Sequence, residues 1–205
     1  MHRLAILLSG RGSNFVALAD AVDSGRIPDA RVVSVISDNP EAPGLAIARE
    51  RGLAAHAIPR EEGMTRSVHE ARVRRVLDAA RPDLVCLAGY MRILSPELVD
   101  AYRGRILNIH PSLLPRYPGL HVQRRALEGG ERESGCTVHY VDVGIDSGPI
   151  IVQRRVPVLP GDTEESLSAR ILEQEHIAYT EAINLVLGGE VQLAGRRVIT
   201  ALQPR

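Results

Sequence analysis

The chain has 205 residues, 44% of them apolar, with 25 basic residues balancing 25 acidic ones. That is enough to bury a full core as one domain, or at most two small ones, and it leaves no global field to recruit nucleic acid or an anionic membrane. Every basic residue is an arginine, which excludes a lysine Schiff base and the lysine of a phosphate-binding P-loop.

The start, MHRLAILLSG, holds only five consecutive apolar residues, too few for a signal peptide or a membrane span, so a cytoplasmic protein is expected. Cys86 and Cys136 lie in apolar or strand-like runs without C-x-x-C spacing and read as buried thiols of a reducing compartment. Along the chain, apolar runs of strand length alternate with helix-period segments, the pattern of βαβ units and a largely parallel sheet. Strands are predicted over 4–8, 31–36, 54–58, 84–88, 105–109, 137–141 and 150–158. Helices are predicted over 15–22, 44–51, 65–80, 96–102, 122–128 and 163–187. The last helix has capping-box spacing at Asp162 and Glu165, and a core stripe of Leu167, Ile171, Ala178, Ala182 and Leu185. After Gly188, a V-x-L segment and VITAL suggest a terminal hairpin. No linker, low-complexity tract or internal repeat stands out.

The first chemistry-bearing stretch is Ser9-Gly10-Arg11-Gly12-Ser13-Asn14, between the first strand and the first helix. Free backbone N–H groups and the helix dipole make an anion site there, with Gly12 letting a phosphate approach the backbone and Ser13 and Asn14 offering capping and hydrogen bonds. The dinucleotide fingerprint G-x-G-x-x-G starts this way, but Phe15 replaces its third glycine, which favours a single phosphate. Asp38, ending the second strand, is where a dinucleotide enzyme would hold a ribose hydroxyl, so a nicotinamide-dependent reductase competes.

The most informative stretch is Arg105 to Gly119, RILNIHPSLLPRYPG. Asn108 and His110 share one side of an apolar strand, by its period of two, and prolines then stiffen the loop. An amide donor and a group that exchanges protons near neutral pH suit chemistry on a carbonyl. His139 to Gly148, HYVDVGIDSG, adds a strand running into a glycine-rich loop. Asp146 from that loop could reach His110, raising its pKa and fixing its orientation. Donor, proton exchanger and orienter together suit acyl transfer. No Ser or Cys sits in a nucleophile elbow, so the attacking group is expected to belong to a substrate. His121, His139 and His176 lack metal-ligand spacing; they are expected to be structural or peripheral, and no metal is expected.

The runs LLSGRGSN, LAGYMRILS, NIHPSLLPRYPGLH and VDVGIDSGPI, in this order and spacing, closely resemble the phosphoribosylglycinamide formyltransferases, folate-dependent enzymes of purine synthesis. The likeness covers nearly the whole chain and thins in the final fifteen or so residues. It implies a single Rossmann-like α/β domain: an open, mostly parallel twisted sheet with helices on both faces, a mononucleotide-binding half over 1–100, and a catalytic and folate-binding half over 101–205. It further implies that Asn108, His110 and Asp146 are the catalytic trio, and that Gly12, Ser13 and Asn14 hold the substrate phosphate. Glu175 would contact the ribonucleotide, although composition alone reads it as a solvated helix charge. Met91, Arg92, Ile93 and Leu94 would form one wall of the folate pocket, and Asp142, Val143, Gly144, Ile145 and Asp146 the loop around the pterin, with Asn108 also facing folate. From pattern alone Met91, Ile93 and Leu94 read as core. Arg66 matches a basic position on the folate or substrate side.

The resemblance implies direct attack by the amine of glycinamide ribonucleotide on the formyl group of the co-substrate 10-formyltetrahydrofolate, with no covalent enzyme intermediate. Asn108 and protonated His110 would stabilise the oxyanion, and a water held by Asp146 would move the proton. Two small molecules are the expected partners, in a monomer or homodimer that binds neither nucleic acid nor membrane. Related methionyl-tRNA formyltransferases and formyltetrahydrofolate deformylases are expected to carry further domains. Beyond the formyltransferase, two readings stand: the reductase, and a non-catalytic nucleotide-binding module.

Overall fold

A computed structural model of the protein describes residues 1–200. Its strands are β1 (His2–Leu8), β2 (Ala30–Ser37), β3 (Ala55–Ala57), β4 (Leu84–Leu87), β5 (Ile106–His110), β6 (Glu133–Tyr140), β7 (Ile150–Pro157), β8 (Val191–Ala194) and β9 (Arg197–Thr200). Its helices are α1 (Ser13–Asp23), α2 (Pro43–Glu50), α3 (Arg66–Ala80), α4 (Pro96–Ala101), α5 (Val122–Glu128) and α6 (Glu164–Leu187). Seven strands form one mostly parallel sheet of order β3-β2-β1-β4-β5-β6-β7, and β8 and β9 form a second, two-stranded sheet. The α/β class read from the alternating pattern is the class observed. The chain clusters into two compact units, Met1–Leu107 and Asn108–Arg205.

In the first unit, β1 pairs in parallel with both β2 and β4, and β2 with β3. The run Leu4 to Leu8 is fully buried, as a strand covered on both faces requires. Helix α1 begins two residues before the predicted start. Its N-cap is Gly12, in the left-handed region at φ 79°, with no side-chain cap, so Ser13 lies inside the helix and does not cap it. Gly12 also packs against the start of α2: a Cβ on it would fall 2.7 Å from Gly44 Cα. Thr65 and Ser95 cap α3 and α4 by accepting from Val68 N–H and Leu98 N–H.

In the second unit, β6 and β7 are antiparallel, from Glu133 opposite Pro157 onward. Strand β6 starts four residues before the predicted one, because pairing with β7 draws the weak strand formers Ser134 and Gly135 into the ladder. The capping box of α6 is Thr163 with Ser166, one residue beyond the expected Asp162–Glu165 pair. Asp162 instead accepts from Ser166 Oγ at 2.8 Å and clamps Arg170. The expected stripe is buried at Leu167, Ile171, Ala178 and Ala182, while Leu185 is only half-buried. The terminal hairpin forms as β8 and β9; Ala201 and Leu202 of VITAL lie outside the described residues.

Candidate active site

In the first unit, the ends of β1 and β2 and the segment after β4 meet in a tight polar network. Ser9 Oγ donates to Asp38 Oδ1 at 2.5 Å and accepts from Met91 N–H at 2.8 Å. Arg92 Nε donates to Asp38 Oδ2 at 2.6 Å. Both oxygens of this buried carboxylate therefore serve internal donors, which leaves it poorly placed to grip a ribose and removes the main support for the reductase. Of the neighbouring apolar residues, Leu94 points inward at 6% exposure, whereas Met91 and Ile93 stand 65% and 58% exposed. Arg66 is held by Glu70, Nε to Oε1 3.2 Å, and the same Oε1 accepts from Ser95 N–H. Gly12 is the N-cap of α1, and Ser13 and Asn14 are its first helical residues, so the capping side chains expected of them are not there. The glycine, however, is required by φ and by the contact with Gly44, a reason the sequence pattern did not reveal.

In the second unit, β5 delivers Asn108 and His110, and the loop after β6 delivers Asp146. Asp146 sits in the left-handed region at φ 49°. Its Oδ2 lies 3.3 Å from His110 Nδ1 and accepts from Gly119 N–H at 2.8 Å. Its Oδ1 accepts from Asn108 Nδ2 at 3.4 Å. The trio inferred from converging strand ends is thus assembled within one unit.

A fourth member joins it. His139 Nε2 accepts from Asn108 Nδ2 at 3.2 Å and lies 3.7 Å from Asp146 Oδ1, while its Nδ1–H donates to the Tyr140 carbonyl at 2.9 Å. His139 was expected to be structural or peripheral; it is structural, since it is buried and helps orient the Asn108 amide. The missed signal was its position at the end of β6, beside the loop that carries Asp146. The amide orientation follows from its neighbours, since the opposite flip would set its oxygen against a carboxylate. Both Asn108 N–H groups are engaged here, so as an oxyanion donor it must exchange one of these long bonds for the substrate.

His110 departs from expectation in its protonation. Its Nε2–H donates to the Tyr117 carbonyl at 2.9 Å, so Nδ1 faces the Asp146 carboxylate. Burial pushes the imidazole below its ordinary pKa, outweighing the opposing pull of the Tyr117 carbonyl and Asp146. Asp146 stays below the usual carboxylate range although burial opposes it, because the Gly119 N–H and the nearby His110 favour its charge. A ring that sheds its proton readily beside a charged carboxylate suits proton acceptance better than service as a standing cation.

The loop from Pro111 to Gly119 is fixed from below. Thr137 Oγ1 donates to the Ser112 carbonyl and accepts from Leu114 N–H and Gln153 Nε2, all at 3.1 Å or less. Glu175 is buried at 7% exposure within the apolar stripe of α6, contrary to its reading as a solvated charge. Burial first, and then the charge of Glu175, push the Cys136 thiol up to about 12, which leaves it inert. His121 is the exposed N-cap of α5, and His176 is half-buried, with burial lowering its pKa. Among the described residues no group of three His, Cys, Asp or Glu side chains could hold a metal, and no helix is long and apolar enough to cross a membrane.

A family model described as formyl transferase matches residues 2–183. The chain belongs to the formyl transferase family. Among members, it is 43% identical over 190 residues to the phosphoribosylglycinamide formyltransferase of Escherichia coli, covering 93% of this chain and 89% of that one. It is 53% identical over 188 residues to the trifunctional purine biosynthetic protein adenosine-3 of Drosophila melanogaster, covering 91% of this chain but only 14% of that protein's length. The crystal structure of glycinamide ribonucleotide transformylase 1 from Symbiobacterium toebii superposes with a TM-score of 0.94 at 49% identity, covering 98% of this chain and 94% of that one. The formyl transferase fold is therefore shared over almost the full described length.

Proposed function

We propose that the protein transfers the formyl group of 10-formyltetrahydrofolate to the primary amine of glycinamide ribonucleotide, a step of purine synthesis. The observation that carries this reading is the cluster of Asn108, His110 and Asp146 within one unit, in a chain whose relatives are named for that activity. The amine nitrogen bonds to the formyl carbon, the bond from that carbon to the folate N10 breaks, one proton leaves the amine and one reaches N10. Negative charge builds on the formyl oxygen in between. Asn108, by releasing its 3.2 Å or 3.4 Å bond, supplies an N–H to that oxygen. The His110–Asp146 pair accepts the amine proton and returns a proton to the departing N10, because burial favours the neutral ring while the carboxylate stabilises the ring once it is charged.

In this reading the turn at Gly12, Ser13 and Asn14 takes the substrate phosphate, and Glu175 and Arg66 serve the ribonucleotide and the folate or substrate side. The segments Met91–Leu94 and Asp142–Asp146 take the folate. Support for the folate assignment is the costly exposure of Met91 and Ile93 in one segment and of Val143 and Ile145, 60% and 56% exposed, in the other. The test is to mix purified protein with glycinamide ribonucleotide and 10-formyltetrahydrofolate and follow tetrahydrofolate release. Turnover that requires both substrates is expected, and folded protein without turnover refutes the proposal.

A further inference from the structure

The terminal hairpin β8–β9 has no part in the chemistry above, yet the tip of its turn reaches the loop after β6. Gly195, at φ 61°, and Arg196 make the two-residue turn between the strands. Arg196 Nη2 lies 2.9 Å from Asp142 Oδ2 and donates to the Ser147 carbonyl at 3.2 Å. One guanidinium thus bridges both ends of the 142–147 loop. The loop is wound around the same carboxylate from inside: Asp142 Oδ1 accepts from Gly144 N–H at 3.0 Å and from Ser147 Oγ at 2.7 Å. It is also tightly closed, since a Cβ on Gly144 would fall 2.0 Å from Ser147 Oγ. With Oδ1 hydrogen-bonded within the loop and Oδ2 ion-paired with Arg196, the Asp142 side chain ties the loop together, and the loop presents Val143 and Ile145 outward.

We propose that Arg196 is a positioning residue for the formyl donor: it clamps the 142–148 loop in the shape that receives the pterin, so the terminal hairpin serves donor affinity. The proposal rests on the reading that this loop faces 10-formyltetrahydrofolate. Asp146 belongs to the same loop but has its own anchors in Gly119 N–H, Asn108 and His110. Removing the Arg196 clamp therefore loosens the pterin-facing segment while leaving the catalytic carboxylate in place. The signature is a change in KM for the donor without a matching change in kcat.

Steady-state kinetics of R196A, R196K and wild type, varying each substrate in turn, test this. An ion pair whose arginine is largely exposed supports a change of about two- to five-fold, so KM for 10-formyltetrahydrofolate rises by about that factor in R196A, while kcat and KM for glycinamide ribonucleotide stay within experimental scatter. R196K restores much of the donor affinity, and high salt narrows the gap between wild type and R196A. Hydrogen–deuterium exchange of the unliganded proteins provides a readout independent of turnover, with faster exchange over 142–148 in R196A and an unchanged core. Equal rises in both KM values, a fall in kcat alone, or unchanged loop exchange overturns the proposal. Wild-type protein without turnover refutes the proposed function and this inference with it, whereas normal wild-type turnover and an unaltered donor KM in R196A refute the clamp alone.

Discussion

Replacing Gly12 by Ala tests why a glycine stands at the head of α1. The residue sits at φ 79°, where a side chain costs about 1–2 kcal/mol. An added Cβ also lands 2.7 Å from Gly44 Cα, a backbone atom that cannot swing aside, and such overpacking typically costs about 1–3 kcal/mol. Together these give roughly 2–5 kcal/mol, and for a chain of this size each kcal/mol moves Tm by about 2–4 °C. G12A should therefore melt on the order of 10 °C below wild type. The control is G10A, where an added Cβ meets nothing within 4 Å and Tm should barely move. G44A should also melt below wild type but by less than G12A, because its Cβ would fall 2.9 Å from Gly12 Cα while Gly44 is not in the left-handed region. Melting followed by circular dichroism decides the matter. A G12A protein as stable as wild type that binds glycinamide ribonucleotide less tightly would refute the packing account and return Gly12 to a purely phosphate-binding role.

Further outcomes follow from the site and from the start of α6. Asp146→Asn should preserve the fold, lower turnover steeply and move the His110 titration to lower pH, since it removes the anion favouring the charged ring; an NMR titration shifted upward contradicts the pairing. Asn108→Ala should reduce kcat by about two to three powers of ten while moving that titration little, because an amide carries no net charge; near-normal kcat would show that the developing oxyanion is served by other donors. Arg170, Leu159 N–H and Ser166 hold the Asp162 carboxyl well below the usual range. Its stabilising contribution is complete above the ordinary carboxylate pKa of about 3.9, shrinks below it and vanishes once pH falls under the depressed folded value. Asp162→Asn should consequently lower Tm at pH 7 by a margin that narrows as pH drops below 4, and a margin independent of pH would refute the ion-pair account.

Much of the site was legible because local pattern and chemistry coincided. Asn108 and His110 share a side of β5 through the two-residue period, and a short apolar strand running into prolines is visible without any fold. Asp146 followed from the tendency of strand-end loops to converge. His139 was only half legible: its place at the end of β6 beside the Asp146 loop could be read, but a histidine in a strand offers no sign of what its ring meets. Glu175 was hidden in the same way: it fills the gap between Ile171 and Ala178 in the apolar stripe of α6, a position that reads as a misplaced charge until the helix is packed.

The sequence by itself determined the α/β class, the parallel strand pattern, most helices to within two residues and the residue types that carry the chemistry, because burial periodicity and turn residues act over a few neighbours. Only the tertiary structure decided the burial that lowers the His110 pKa, the internal use of both Asp38 oxygens, the reason for Gly12 and the reach of Arg196 to Asp142. Each of these depends on atoms far apart in the chain. Desolvation, steric exclusion and ion pairing act over a few ångströms in space, and the separation of residues along the chain does not encode that distance.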